Sequence, residues 1–296
     1  MSSANPVQNF YDTFADREWA RLDRANDGVI ERELHIRAFR EFLPPAPCRV
    51  LDIGGGPGRW AVWLAERGYR VTLADLSPHL IEIAKTRIAE APESVQANIE
   101  DMLVADARDL SAFASESFDA VLSLGPFYHL TDADDREIAA QEAARVLRPG
   151  GRLFAAAMPR LFFLLAVAFE RERSGPFASV AGTLINDGVY HDTRPGRFTS
   201  AYLFRPEEIA PFFEGFGFRT KRLMASEGML ATVQTEVAAL AERDPAVYTQ
   251  LLDMAYENAA DPSILGLAAH LLYIAEKRSA DEKTSWWVTG AGNDPA

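Results

Sequence analysis

The chain has 296 residues, with 30 Lys plus Arg against 43 Asp plus Glu, and the resulting net charge of −13 opposes a polyphosphate partner. Its apolar runs are too short to cross a bilayer, since the longest in the second half, residues 161–169, is about half of the roughly 20 residues a spanning helix needs. The amino terminus shows no basic-then-apolar signal and the lone Cys48 makes neither a disulfide nor a thiol pair for zinc, so the expectation is a cytoplasmic protein that binds neither nucleic acid nor membrane.

Residues 9–43 read as a helical arm, with Phe10, Phe14, Trp19, Leu22, Ile30, Leu34, Ile36 and Phe39 interleaved with charge and a break at Asn26-Asp27-Gly28. Pro44, Pro45 and Pro47 then stop helix, because proline lacks an amide donor and extends the residue before it. From Cys48 the pattern changes to short apolar runs at 49–53, 70–74, 102–105, 120–124 and 152–156, alternating with helical stretches at 59–67, 78–89 and 134–147. The runs are too short for helices and too uniformly apolar for solvent-facing strands, which predicts buried parallel strands with right-handed crossovers. Beyond Pro159 an apolar helix at 161–172 and a polar, Gly- and Pro-containing stretch at 174–197 read as an insertion. Arg205-Pro206-Glu207-Glu208 opens a helix, 218–225 and 270–276 read as the last strands, and 229–242 and 246–259 as two helices between them. The expected organisation is a helical arm or lid at 1–45, a core at 46–158, a cap insertion at 159–204, and the rest of the core sheet with extra helices at 205–296.

The strongest local signal is the run Val50-Leu51-Asp52-Ile53-Gly54-Gly55-Gly56-Pro57-Gly58, a buried strand entering a glycine-rich turn and then a helix. Glycine suits both close backbone approach to a ligand and dihedrals that exclude a side chain. Asp75 ends the second strand, where a carboxylate can accept from the hydroxyls of a ribose. Asp106 ends the third, where an acid can accept from an adenine amino group. Ligands of open α/β sheets sit outside the carboxyl ends of the strands, so the three acids converge on one crevice.

These residues, with Val146-Leu147-Arg148-Pro149-Gly150-Gly151 before the fifth strand, resemble the class I S-adenosylmethionine (SAM) methyltransferases, including small-molecule enzymes of ubiquinone and natural-product pathways. The resemblance covers residues 50–156. It implies a doubly wound, seven-stranded, mostly parallel α/β sheet whose last strand is antiparallel, with a helical arm and a helical cap. It also implies SAM as cofactor, with Gly54 and Gly56 at the methionine moiety, Asp75 at the ribose, Asp106 and Ala107 at the adenine, Leu124 near the amine through its backbone, and Asp52 and Leu76 as further cofactor contacts. After the fourth strand this chain has Gly125-Pro126-Phe127-Tyr128-His129, not the Asn/Asp-Pro-Pro-Tyr-like box of enzymes that methylate nucleobases or glutamine, so the expected acceptor is another small molecule. A nicotinamide fingerprint fails on spacing, because Arg59 stands where its third glycine belongs.

Methyl transfer needs alignment and exclusion of water more than acid–base chemistry, although a hydroxyl acceptor benefits from a base. His129, just past the fourth strand, is the candidate base, with Tyr128 beside it. Tyr11, in Asn9-Phe10-Tyr11-Asp12, resembles an amino-terminal element that folds over the cofactor, and is both a catalytic and a cofactor-contacting candidate. Trp19 and Arg21 are weaker candidates in the same arm. Leu161, Phe162, Phe163, Leu164, Leu165 and Phe169, with Phe177 and Phe198, supply apolar surface for a hydrophobic or aromatic acceptor, and Tyr190 and His191 fall in the same insertion. His35, His79 and His270 read as structural. No carboxylate–histidine cluster has metal-ligand spacing, so no metal is expected. A homo-oligomer is left open, as is use of the cofactor without methyl transfer.

Overall fold

The computed structural model describes residues 7–8, 10–12, 19, 22, 28–169, 175–192 and 199–279. In chain order, α1 (Val29–Phe42) leads to β1 (Arg49–Ile53), α2 (Arg59–Ala65), β2 (Arg70–Asp75), α3 (Pro78–Ala89), α4 (Glu93–Gln96), β3 (Ile99–Val104), β4 (Phe118–Ser123), α5 (Pro126–His129), α6 (Ala133–Val146) and β5 (Leu147–Ala157). Then come α7 (Arg160–Phe169), α8 (Phe177–Asp187), β6 (Val189–Tyr190), β7 (Ala201–Tyr202), α9 (Pro206–Glu214), β8 (Phe218–Ala225), α10 (Gln234–Arg243), α11 (Pro245–Glu257), α12 (Pro262–Leu265) and β9 (Leu271–Lys277). Of the positions singled out in the sequence, Phe14, Arg21, Asn26, Asp27 and Phe198 lie outside the described residues.

Seven strands form one sheet in the order β3-β2-β1-β4-β5-β9-β8, with β1 to β5 parallel and β9 antiparallel to both of its neighbours. The order reverses between β1 and β4, which opens a crevice at the carboxyl ends of the strands. Alternation along β9 shows how the sheet is buried on two faces. Leu272 and Ile274 pack with α1, α2, α3 and α11, through Leu34, Phe39, Trp60, Leu64, Ile81 and Leu252. Leu271, Tyr273 and Ala275 pack with α6 and α9, through Ala139, Ala143, Ile209 and Phe213. A strand apolar on both faces is therefore a continuous apolar run, as the sequence pattern reads.

Two expectations need correction. The third run is not a buried strand: β3 is at the sheet edge, begins earlier at Ile99, and leaves Glu100, Asp101 and Val104 exposed, the charges guarding an otherwise open edge. The polar reading of 174–197 misses α8, whose Phe177, Val180, Ala181, Leu184 and Ile185 recur at helical spacing and whose end is set by Gly188 at φ 72°. A Cβ at Gly188 would lie 2.7 Å from the Leu203 carbonyl oxygen and from the Arg160 guanidinium, so both conformation and packing require glycine there. Leu184 and Ala201 share a small separate core with Val167, Tyr190 and Leu203.

Phe154 in β5 is fully buried, with its ring 5.2 Å from Phe39 of α1, and so ties the arm's last helix to the central sheet. Phe154→Ala is expected to lower the unfolding free energy by about 3–5 kcal/mol in urea titration. A loss below about 1 kcal/mol would show that this face of the sheet does not depend on the contact.

Candidate active site

The glycine-rich turn is built onto the ends of β1 and β2. Gly54 and Gly55 donate their amides to the Ala74 carbonyl at 2.8 and 3.3 Å, extending the parallel ladder into the loop. Asp75 then braces the turn, with Oδ2 accepting the Gly56 N–H at 2.8 Å and Oδ1 the Ser77 N–H at 2.8 Å. Gly56 has φ 56° and space on its Cβ side, the nearest atom being Leu80 Cδ1 at 4.0 Å, so the backbone there lies open to a ligand. Ser77 caps α3 by accepting the Leu80 N–H, and its hydroxyl bonds the Asp12 carboxylate of the arm.

This turn forms the floor of a cavity of about 340 Å³. All the candidates for cofactor contact and catalysis line it: Asp52, Gly54 and Gly56 from the first strand end, Asp75 and Leu76 from the second, Asp106 and Ala107 from the third, Leu124 and His129 from the fourth, and Tyr11 from the arm. The acids differ in state. Burial, and then the charge of Asp75, push the Asp52 carboxyl up to about 7, and its Oδ2 has no hydrogen-bond partner. Burial also raises Asp106, but hydrogen bonds from the Arg108 side chain and amide outweigh it and hold the carboxyl below its ordinary range. Arg108 bonds both Asp106 oxygens and bridges to Asp135 at 2.8 Å, so Asp106 is not the free acceptor the sequence suggests, although each oxygen keeps lone-pair capacity.

Tyr11 and His129 also meet in the cavity lining. His129 Nδ1 faces the Ser200 carbonyl at 3.3 Å; because a carbonyl only accepts, Nδ1 carries the proton and Nε2 is the acceptor. The Tyr11 hydroxyl lies 2.8 Å from Nε2 and donates to it. Burial pushes the imidazole down to about 4, so it is neutral near pH 7. Tyr128 packs on His129 with ring centroids 4.6 Å apart and donates its hydroxyl to the Leu124 carbonyl at 3.2 Å. Trp19, read as a weaker candidate, lies under the guanidinium groups of Arg59 and Arg87, 5.3 and 4.5 Å from its ring centre, and so joins the arm to α2 and α3.

The insertion contributes differently from the expectation. Among the described residues none of its apolar side chains lines the cavity; Leu161 is 62% and Phe169 82% exposed, and Phe163 packs on Tyr190. Helix α7 is apolar on every side and buries only Val167 and Arg160, so its apolarity does not make a pocket wall. What reaches the cavity from this segment is Ser200, through which the insertion holds His129; His191 bonds the Ser200 hydroxyl at 2.9 Å and does not line the cavity. His35 is buried on Ser226 at 2.8 Å, and His79 is exposed. The sequence also misses Leu22, Glu31 and Trp60 as lining residues. Sequence spacing shows no metal-ligating group, but the fold brings Glu31, Glu227 and His270 together with ligating atoms within 4.8 Å of one another.

With the geometry established, known proteins are informative. Residues 51–155 match the methyltransferase domain family. The sheet order, with its antiparallel penultimate position, is the class I methyltransferase fold. A ubiquinone biosynthesis O-methyltransferase of Xanthomonas axonopodis pv. citri is 34% identical over 131 residues, covering 43% of this chain and 52% of that protein. A magnesium-protoporphyrin O-methyltransferase of Rhodobacter capsulatus is 39% identical over 94 residues, covering 28% and 42%. The chain thus spans about half the length of these curated relatives. A SAM-dependent methyltransferase structure from Methanosarcina mazei superposes with a TM-score of 0.56 at 19% identity, covering 81% of this chain and 97% of that one, which supports the fold. No helix among the described residues is long and apolar enough to cross a membrane.

The state of Asp52 in this domain is testable. A carboxyl raised to about 7 in the fold contributes stability that is full below its unfolded value of 3.8 and lost as pH rises toward 7. The stability of Asp52→Asn relative to the wild type, both without ligand, is therefore expected to increase between pH 4 and 7 by a few kcal/mol, with a slope approaching about 1.4 kcal/mol for each step of one in pH, and then level off. A difference independent of pH would show an ordinary carboxylate.

Proposed function

We propose that this chain is a SAM-dependent methyltransferase acting on a hydroxyl oxygen of a hydrophobic or aromatic small molecule, in secondary metabolism. The observation that carries the reading is the Tyr11–His129 hydrogen bond of 2.8 Å, lining the same cavity as the glycine-rich turn. The relatives support oxygen as the acceptor atom, because the two described above carry O-methyltransferase names. The orphaned, buried Oδ2 of Asp52 and the open backbone at Gly56 suit a zwitterionic, cationic ligand such as the methionine end of SAM. In this reading Asp52, Gly54 and Gly56 hold that end, Asp75 and Leu76 the ribose, Asp106 and Ala107 the adenine, and Leu124 the amine through its backbone. When bound, SAM supplies a methyl group on a sulfonium, which is already a good leaving group.

The chain's own residues do the rest. Tyr11 gives its proton to His129 Nε2 in a hydrogen bond, so its phenolic oxygen presents lone pairs to an acceptor O–H and can pass that proton to Nε2. A base titrating near 4 is sufficient, because the acceptor oxygen becomes far more acidic as it gains the methyl group, and the proton moves downhill in or after the transition state. The Ser200 carbonyl fixes the imidazole tautomer. Residues 1–45 serve as a lid that carries Tyr11 and excludes water, residues 46–158 as the cofactor core, residues 159–204 as a brace for His129, and residues 205–296 complete the sheet. The acceptor is bounded by Tyr11, Tyr128, Leu22 and Ser200 in place of the apolar face of α7.

Assay of SAM turnover against a panel of phenols, with S-adenosylhomocysteine release as readout, tests the reading. His129→Ala is expected to lower kcat about 10²- to 10⁴-fold with SAM affinity within about threefold of wild type. Wild-type kcat should hold as pH falls through 6 and decline only toward about 4, where His129 protonates. Equal loss of rate and SAM affinity in the variant, or an acid limb at the ordinary histidine value, would contradict the assignment. An Asp75→Asn exchange places an NH2 opposite one of the two amides that Asp75 accepts, and is expected to weaken SAM binding about tenfold or more by calorimetry. Unchanged affinity would remove Asp75 from the site.

A further inference from the structure

Glu31, Glu227 and His270 are separated widely in sequence and meet beside the cavity described above. Glu31 projects from the first turn of α1, Glu227 follows β8 and opens a short 3-10 turn, and His270 immediately precedes β9. Because β9 runs against β5, its start lies at the same sheet edge as the end of β8 and the carboxyl ends of the parallel strands; Ala157 of β5 pairs with Leu271, and Ala225 of β8 pairs with Leu271 as well. The sheet thus places Glu227 and His270 at the end where the cavity opens, and α1 brings Glu31 to them.

Both carboxylates are buried, Glu31 at 6% and Glu227 at 3% exposure. Bringing two acids together out of water costs several kcal/mol per ion unless a positive charge is shared between them. The His270 Nδ1 stands between them, 2.9 Å from Glu227 Oε1 and 4.0 Å from Glu31 Oε2. Glu227 is held in place by the His270 amide at 3.0 Å, and the neighbouring Ser226 by the His35 ring at 2.8 Å. One nitrogen and two carboxylate oxygens within 4.8 Å of one another need little adjustment to share an ion, since bond lengths of about 2.0–2.2 Å place ligands of one ion up to about 4.4 Å apart.

We propose that Glu31, Glu227 and His270 bind a divalent transition-metal ion at the wall of the cavity. Imidazole with carboxylates is a donor set of the zinc and manganese type, harder than thiolate sites and softer than the all-oxygen sites of magnesium. Three protein ligands leave at least one coordination position open. Glu31 also lines the cavity, and the Tyr128 ring centre stands 4.6 Å from that of His129 and 6.4 Å from that of His270, so an ion on these three ligands would adjoin the cavity. An oxygen donor of the acceptor fits there, where the ion would orient it and lower its proton affinity. Ion binding itself does not depend on the methyltransferase reading.

The test uses the full-length untagged protein, stripped with chelator and dialysed, then titrated calorimetrically with ZnCl2 or MnCl2 without SAM or acceptor. The expected result is one ion per chain, with affinity at least about tenfold weaker in Glu227→Gln and in His270→Gln, each checked by thermal melting for a folded state. Should either variant not fold, Co2+ added to the wild type decides: a visible spectrum changed from that of the aqueous ion supports coordination by the cluster. No binding by the wild type, binding unaltered in both folded variants, or a Co2+ spectrum identical to the aqueous ion would overturn the proposal. A titration without cofactor can fail while methyl transfer stands, and the reverse, so the two readings are separable.

Discussion

Two carboxylates at the ends of adjacent parallel strands set the terms for everything around them. Asp52 and Asp75 are both buried, and the charge of Asp75 adds to the cost of ionising Asp52. Asp75 offsets its own burial by accepting two backbone amides, which at the same time fixes the shape of the glycine turn. Asp52 has no such compensation at Oδ2. In the proposed reading this uncompensated carboxyl suits a ligand carrying positive charge, such as a sulfonium amino acid, better than a dinucleotide with its pyrophosphate.

Elsewhere in the lining the controlling feature is burial of an imidazole. His129 is kept neutral by desolvation, its tautomer is set by a carbonyl from the insertion, and its free nitrogen is engaged by a tyrosine from the arm. Three remote stretches of chain therefore have to be in place before the pair exists. The arm is held by more than that pair: Trp19 lies under two arginines, and Asp12 bonds the residue that caps α3. In the proposed mechanism, placing the arm over the cavity also assembles the Tyr11–His129 pair.

Much of this is legible in the residues because it is local. The turn after β1 can be read from Gly54, Gly56 and Gly58 following an apolar strand, and Asp75 and Asp106 from their places at strand ends. Contacts made between distant elements are not written in any window. Nothing near Asp106 in the sequence says that Arg108 will fold back onto both its oxygens. Glu31 looks like a charge on an amphipathic helix until the end of β8 and the start of β9 arrive beside it. The apolar run at 161–169 misleads for the opposite reason: composition marks it as wanting burial, while the fold turns Leu161, Leu165 and Phe169 outward, off the cavity lining. Helix α8 is hidden because Gly175, Pro176 and Gly188 bracket it closely enough to read as loop.

The central claim is that the cavity holds SAM, and calorimetric titration of the purified protein addresses it most directly. SAM and S-adenosylhomocysteine should each bind at one site per chain with micromolar affinity, and NADH should give no heat of binding. Absence of binding by both sulfur ligands, or binding of NADH in their place, would contradict the account.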